Sequence, residues 1–64
     1  MFSDQMRFHR KEKKLTQKQL ASDLGLTIRT IQNYESGASV PRSKVIRTQI
    51  ADYFDVTVFE LFEN

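Results

Sequence analysis

The apolar and polar positions of residues 17–35, QKQLASDLGLTIRTIQNYE, predict two short helices that meet at a sharp turn. Leu20 and Leu24 share one helix face, and Gly25 follows them as a residue that can take the positive φ of a helix end. Thr27 then stands where a hydroxyl can cap the next helix. This segment therefore predicts a helix, a short turn and a second helix.

The second of these helices, predicted over residues 28–36, has two unlike faces. At about 100° per residue, Ile31 and Tyr34 lie on the side that faces the core. The opposite side presents Ile28, Arg29, Gln32 and Asn33. One face is therefore predicted to pack inward, and the other to stay open to a partner.

The start of the chain predicts a first helix and a cap for the second. Ser3 is the expected cap of a first helix that ends near residue 13 or 14. Thr16 and Gln19 have the spacing of a capping box at the start of the second helix. His9, the single histidine, shares the inward face of the first helix and is interpreted as a partly buried packing residue. Phe8 lies off that face, either as rim packing or as a partner contact.

Two further helices are predicted after Gly37, which is the expected end of the third. The loop GASVPR leads to Ser43, the predicted cap of a fourth helix over about residues 44–54. Its apolar stripe consists of Val45, Ile46, Ile50, Ala51, Tyr53 and Phe54. Thr57 and Glu60 have the spacing of a second capping box, before a short fifth helix. No strand pattern or internal repeat is present, so the sequence predicts an all-α fold of five helices.

The formal net charge of +2 over 64 residues hides an uneven distribution. Residues 1–47 hold all ten lysines and arginines against four acidic residues, a net charge of +6, whereas residues 48–64 hold four acidic residues. This asymmetry is expected of a body whose basic face meets a polyanion. A solvated surface with chance clustering is the alternative that charge alone leaves open.

Composition excludes several other classes of protein. The chain has no cysteine, which excludes disulfide frameworks and zinc fingers. It shows no secretory signal pattern and no apolar run near the roughly 20 residues that cross a bilayer. A single histidine without a phosphate-cradling glycine loop offers no catalytic constellation, so we do not expect an enzyme. A soluble protein without metal, cofactor or small-molecule ligand is predicted.

Nine positions of the predicted helix, turn and helix carry a resemblance to a known family: Gln17, Leu20, Ala21, Leu24, Gly25, Leu26, Ile31, Tyr34 and Glu35. This set is similar to the helix-turn-helix of the Cro/C1-type, or XRE, family of phage and bacterial repressors. The similarity extends to Arg10, Gly37, Pro41 and the DVTVFELF ending, and so covers nearly the whole chain. It implies a compact five-helix bundle of the lambda-repressor-like type, with residues 1–64 as one DNA-binding domain.

The resemblance implies that the helix over about residues 28–36 is a recognition helix that lies in the DNA major groove. Its outward side chains have matching chemistry, because Arg29 can bind guanine O6 and N7 and Asn33 can pair with adenine N6 and N7. Ile28 can contact a thymine methyl group, and Gln32 completes the predicted set of base contacts. Solvation of an exposed helix face is the alternative role for these residues.

The resemblance also implies contacts to the DNA backbone from residues around the recognition helix. The predicted set is Arg10, Thr16, Gln17, Lys18, Thr27, Thr30, Ser36, Arg42 and Lys44. Gln17 is expected in addition to brace the recognition helix, and Arg42 could instead reach a minor groove. Arg10 and Glu35 are expected to form an ion pair between the first and third helices, with or without a role at the phosphates.

These features together predict a sequence-specific DNA-binding transcriptional regulator, a repressor that binds a two-fold symmetric operator as a homodimer. A chain of 64 residues has a modest core, so contacts with a second copy could add stability. Candidate dimer contacts are Tyr53, Phe59 and Phe62, with core packing as their alternative role. The expected location is the cytoplasm, at the nucleoid of a bacterial cell or phage-infected host. The alternative function is a protein-binding module, such as an antitoxin or antirepressor partner.

Overall fold

The computed structural model describes residues 1–63, which form five helices and no strand. The helices are α1 (Phe2–Glu12), α2 (Gln17–Leu24), α3 (Ile28–Ser36), α4 (Lys44–Tyr53) and α5 (Val58–Phe62). They pack into a body of 25 × 22 × 19 Å. The predicted all-α fold of five helices is confirmed.

Hydroxyl side chains cap the starts of four of these helices, as predicted. Thr16 Oγ1 accepts from Gln19 N at 3.0 Å and Thr16 N donates to Gln19 Oε1 at 2.8 Å, which completes the first capping box. Thr27 and Ser43 cap α3 and α4 by a single bond each, in which the hydroxyl accepts from the main-chain N three residues later. Thr57 caps α5 by accepting from the main-chain N of residue 60, but within residues 1–63 the reciprocal side-chain bond of the second box is not formed.

The core receives one fully buried side chain from each helix. These side chains are Met6, Leu20, Ile31, Ile50 and Leu61, each with 0% of its surface exposed. Each helix thus turns its apolar side toward a common centre. Burial of this kind is the dominant favourable contribution to folding.

The start of α1 differs from the prediction. The helix begins at Phe2, with Met1 at its N-cap position, so Ser3 lies inside the first turn and does not cap it. Packing explains the earlier start, because the Phe2 ring stacks on Phe62 with ring centroids 4.4 Å apart. It also meets the Tyr34 ring edge-on at 5.7 Å, and both contacts require residue 2 to be ordered against the core.

The stripe predicted for α4 was wrong at Val45, whose surface is 68% exposed. Five residues separate it from the buried Ile50, a rotation that leaves the two about 140° apart around the helix. Ile46 and Tyr53 do pack against the core, and Phe54 is buried at the C-cap position. The helix therefore presents a narrower apolar face than the composition of the segment indicated.

The arrangement of the helices leaves one side of α3 uncovered. α3 packs against α1 on one side and α2 on another, and α5 packs against α1 and α4. Ile31 and Tyr34 face these neighbours and are buried, as predicted. The opposite side of α3 consequently faces solvent.

Candidate nucleic-acid interface

The turn between α2 and α3 is set by two main-chain hydrogen bonds at Gly25. Leu26 N donates to Ala21 O at 2.9 Å, and Gly25 N donates to Ser22 O at 3.2 Å. This pattern requires a left-handed residue, and Gly25 has φ 68°. Thr27 then starts α3 by accepting from the main-chain N of residue 30 at 3.1 Å. The angle between the two helices is thus held by local bonds on both sides of the turn.

The uncovered side of α3 carries the four residues predicted to contact bases. Ile28 is 40% exposed, Arg29 and Gln32 are exposed, and Asn33 is half-buried. Within residues 1–63, the side chains of Arg29, Gln32 and Asn33 make no hydrogen bond or ion pair. These polar groups are therefore available to a ligand without breaking an internal contact.

A buried carboxylate ties α3 to α1 and α2. Glu35 is 4% exposed, and its Oε2 accepts from Arg10 Nε at 2.6 Å while its Oε1 accepts from Arg10 Nη2 at 3.0 Å. Gln17 Nε2 donates to the same Oε1 at 3.1 Å, and Arg10 Nη1 donates to Leu15 O at 2.8 Å. We call Arg10, Gln17 and Glu35 the Glu35 cluster. A bidentate pair with its remaining groups satisfied is the geometry in which a buried charge is tolerated.

The Glu35 cluster bears on two of the predicted phosphate contacts. The structure brings Arg10 and Glu35 together, and it turns the amide of Gln17 toward this pair, so both cationic and amide groups are engaged inside the domain. Gln17 therefore braces α3 from the start of α2. Any contact of Arg10 or Gln17 with DNA has to use the donors that these internal bonds leave over.

Arg7 is a functional candidate that the sequence analysis did not single out. Its guanidinium donates to the main-chain O of Glu35, in the last turn of α3, and also pairs with Asp4. A positive charge at this end of a helix is favourable because the carbonyl dipoles point toward it. The available signal was position, since Arg7 lies three residues before Arg10 and so on the same side of α1.

The other predicted backbone contacts lie around α3. Thr16 and Lys18 are exposed at the start of α2, and Thr27 is exposed at the start of α3. Thr30 is half-buried, with its Oγ1 2.9 Å from Thr27 Oγ1. Ser36, at the end of α3, is exposed. These residues surround the uncovered face of α3 with hydroxyl and ammonium groups.

Arg42 and Lys44 form a second group, after α3. Both are exposed. Together with Arg47, Thr48 and Val58 they line a groove between α4, α5 and the loop of residues 37–43 that joins α3 to α4. Arg47 makes a hydrogen bond inside the domain, from its Nε to Pro41 O. Within residues 1–63, Arg42 and Lys44 make no ion pair. The groove thus offers two free cations next to one that is held.

A family profile described as a helix-turn-helix domain matches residues 5–64. The chain belongs to this family. The family is typical of XRE and Cro/C1-type DNA-binding domains, so the resemblance read from the sequence is confirmed and the helix-turn-helix domain is, in general terms, that of a DNA-binding regulator. Families of this kind are typically non-enzymatic. Neither the comparison with curated proteins nor the comparison with solved structures finds a match.

Membrane-spanning helices and clusters of metal-ligating side chains are absent from residues 1–63 of the helix-turn-helix domain. Over residues 1–63, no helix combines the length and apolar character required to span a membrane. In the same part of the chain, no three histidine, cysteine or acidic side chains gather as a metal site requires. His9 instead packs against the Phe54 ring at 5.4 Å, which is the partly buried packing role predicted for it. Phe8 meets His9 edge-on at 5.2 Å but remains 57% exposed.

The three dimer candidates of the helix-turn-helix domain have different surroundings. Phe59 is 67% exposed on α5. Phe62 is stacked on Phe2, so its ring takes part in core packing. Tyr53 donates from its hydroxyl to Asp23 Oδ2 at 2.5 Å. That hydrogen bond raises the pKa of Tyr53 to about 12, with partial burial and the Asp23 charge acting in the same direction. Phe59 is thus the candidate with the freest surface.

Proposed function

We propose that this helix-turn-helix domain is a sequence-specific DNA-binding transcriptional regulator that acts as a repressor. The observation that carries the proposal is the uncovered face of α3, where the side chains of Arg29, Gln32 and Asn33 have no internal partner within residues 1–63. A helix fits the major groove of B-DNA, where each base pair shows a distinct set of donors and acceptors. α3 is therefore the helix that enters the groove.

Each residue of that face has a defined role in the proposal. Arg29 binds guanine through O6 and N7, Asn33 binds adenine through N6 and N7, and Gln32 adds a further amide contact. Ile28, at the start of α3 and 40% exposed, contacts a thymine methyl group. The Glu35 cluster supports these contacts because it restrains the helix that carries them.

Contacts to the DNA backbone position α3 in the groove. They come from the hydroxyl and ammonium groups that surround α3 and from the loop that follows it: Thr16, Lys18, Thr27, Thr30, Ser36, Arg42 and Lys44, with Arg10 and Gln17 through their remaining donors. The net charge of +6 on residues 1–47 supports this orientation, since the basic part of the chain holds α3. The acidic residues 48–64 then belong to the side away from the phosphates.

We further propose that residues 1–64 act as one domain and bind a two-fold symmetric operator as a homodimer. Two recognition helices related by a two-fold axis read half-sites about 34 Å apart, which a single helix cannot do. Phe59 is the proposed centre of that interface, because it is the candidate with the largest exposed surface. The proposed site of action is the cytoplasm of a bacterial cell or phage-infected host, with no metal, cofactor or small-molecule ligand required.

Selection from a random pool of duplex DNA tests the proposal directly. We expect enrichment of a two-fold symmetric site, with affinity that falls steeply as the salt concentration rises. Sedimentation of the protein with the selected site should show two copies per duplex, and Phe59→Ser should shift that stoichiometry toward one. A pool that yields no preferred sequence, with only weak salt-sensitive binding, contradicts a sequence-specific regulator.

A protein-binding role predicts a different outcome of the same experiments. The exposed rings of Phe8 and Phe59 are the side chains that a protein partner would contact in that role. In that case Phe59→Ser abolishes partner binding and Arg29→Ala leaves it unchanged. For the proposed regulator, Arg29→Ala has the larger effect.

A further inference from the structure

The side chain of Arg47, in α4, makes two contacts with other parts of the domain. Its Nε donates to Pro41 O at 2.9 Å, across the groove to the loop that follows α3. Its guanidinium carbon lies 4.8 Å from the centroid of the Phe62 ring. The side chain is half-buried, so one cation links the loop, α4 and α5.

The loop has few other restraints. At its start, Ser39 N donates to Asn33 O at 3.2 Å, and at its end Ser43 caps α4. Between these two residues, within the described part of the chain, the bond from Arg47 to Pro41 O is the only hydrogen bond that holds the loop. Pro41 is buried there, whereas Val40 and Arg42 on either side of it are exposed. The carbonyl that Arg47 holds directly precedes Arg42.

The ring beneath the guanidinium is itself anchored. Phe62 stacks on Phe2 at 4.4 Å with an interplanar angle of 7°, and Phe2 is 6% exposed. Arg47 therefore connects the loop to a ring pair at the core, and a planar cation over an aromatic face is an attractive arrangement. The loop is thus connected to the core through Arg47 and the Phe62 and Phe2 rings.

We propose that Arg47 is a positioning residue that holds Arg42 against the DNA phosphates. The inference rests on the proposed DNA binding and adds to it a residue that acts through another. A loop that is ordered before binding loses less conformational entropy on the DNA, which increases affinity without any new contact. Arg42 is the cation that contacts phosphate, and Arg47 orders the loop that carries Arg42.

The geometry separates this role from a direct phosphate contact by Arg47. Its Nε is already used on Pro41 O, and its guanidinium carbon lies over the Phe62 ring, 4.8 Å from the centroid. A lysine keeps the charge at this position but cannot stack a flat group on the ring while donating sideways to the carbonyl. Arg47→Lys therefore removes the positioning and retains the charge.

A double-mutant cycle on the selected DNA site tests the proposal, with affinity measured over a range of salt concentrations. One phosphate contact contributes about 0.9 to the salt slope, the slope of log affinity against log salt concentration. This corresponds to about fivefold in affinity near 0.15 M salt. We expect Arg42→Ala and Arg47→Lys each to lose about that much, and the double variant to lose no more than Arg42→Ala alone. Arg47→Met should match Arg47→Lys. Lys18→Ala is the control, because its loss should add to that of Arg47→Lys.

Three outcomes overturn the proposal. Wild-type affinity in Arg47→Lys together with a loss in Arg47→Met shows that only the charge matters. Additive losses in the Arg42 and Arg47 cycle show that the two residues act independently. Unchanged amide order parameters at Val40 and Arg42 in Arg47→Lys show that Arg47 does not order the loop, where we expect a fall from about 0.85 to below about 0.6.

The order parameters are measured without DNA, which separates this inference from the proposed function. A wild-type protein that selects no DNA sequence ends the proposed function. The same protein can still show whether Arg47 orders residues 38–42. Thermal unfolding of each variant establishes that the comparison is made between folded proteins.

Discussion

The α1–α3 end and the α4–α5 end of this domain are held together by different chemistry. At the first end, the buried Glu35 carboxylate receives three hydrogen bonds from Arg10 and Gln17. At the second end, the Phe62 ring of α5 lies between Arg47 of α4 and Phe2 of α1, and Phe59 stays at the surface. Directed hydrogen bonds fix an orientation more narrowly than apolar contact does. α3, the proposed recognition helix, therefore lies in the part of the molecule that these hydrogen bonds restrain.

The largest effect is expected from Glu35→Ala, because it leaves Arg10 as a charge without its partner in a mostly buried site. We expect a loss of about 3–5 kcal/mol in the free energy of unfolding, as for other broken buried pairs. Urea denaturation measures it. Glu63→Ala, an exposed acid on the other end, should change stability by less than about 0.5 kcal/mol. Equal effects of the two substitutions contradict the assigned difference between the ends.

The next effect concerns DNA binding and leaves stability unchanged. Arg29→Ala should cost about 1–3 kcal/mol in affinity for the selected site and relax the preference at one base pair. Lys18→Ala is the matched control, and it should weaken all sequences alike and lower the salt slope by about 1. Competition binding against a panel of single-base variants measures both. A uniform loss over that panel for Arg29→Ala means that Arg29 contacts phosphate and not a base.

A smaller effect is expected just after α1 and α4, where a residue other than glycine has a positive φ. Lys14 follows the C-cap residue of α1 and Asp55 follows that of α4, and both have φ 58°, a conformation that favours glycine. Lys14→Gly should raise the free energy of unfolding by about 0.5–1 kcal/mol, and Asp55→Gly by less, since aspartate tolerates this conformation better. Gly25→Ala is the converse control. An added Cβ meets no atom within 4 Å there, so its destabilisation reports conformational strain alone. Denaturation midpoints rank the three variants.

The smallest effect is a pH dependence at the contact between α4 and α2. The folded protein holds the Tyr53 proton more tightly than the unfolded chain, with a pKa of about 12 against 10.0. The resulting stability is complete below pH 10 and is lost as the pH rises from 10 through 12. Wild type should therefore lose its advantage over Tyr53→Phe in that interval, measured by chemical denaturation. An advantage that persists at the upper limit contradicts the hydrogen bond to Asp23.

The starts of α2 to α5 and their hydroxyl caps were predictable because they depend on neighbouring residues. Thr16, Thr27 and Ser43 form their caps as expected, and Gly25 takes the left-handed conformation. Each of these features involves bonds over three to five positions, which the pattern contains directly. The polar side of α3 was predictable for the same reason, since helical spacing alone separates Arg29 from the buried Ile31.

The local pattern did not predict contacts between distant parts of the chain, and the Arg10–Glu35 pair and the contact of Gln17 were expected only from the family resemblance. The start of α1 at Phe2 depends on a ring sixty positions further on, Phe62. The bonds of Arg7 to α3 and of Arg47 to the loop need the helices to be packed before the side chains can meet. The exposure of Val45 follows from how far α4 is rotated against its neighbours.

The amino-acid pattern thus determined five helices, the hydroxyl caps of α2 to α5 and the face of α3 that stays uncovered, because these follow from spacing and bonds within about one turn of helix. Packing decided how that face is supported. Glu35 lies 25 positions from Arg10 and 18 from Gln17, and only the crossing of α1, α2 and α3 brings the three together. The same holds for Arg47 and the loop before α4, since a hydrogen bond between separate elements exists only once a common core sets their distance.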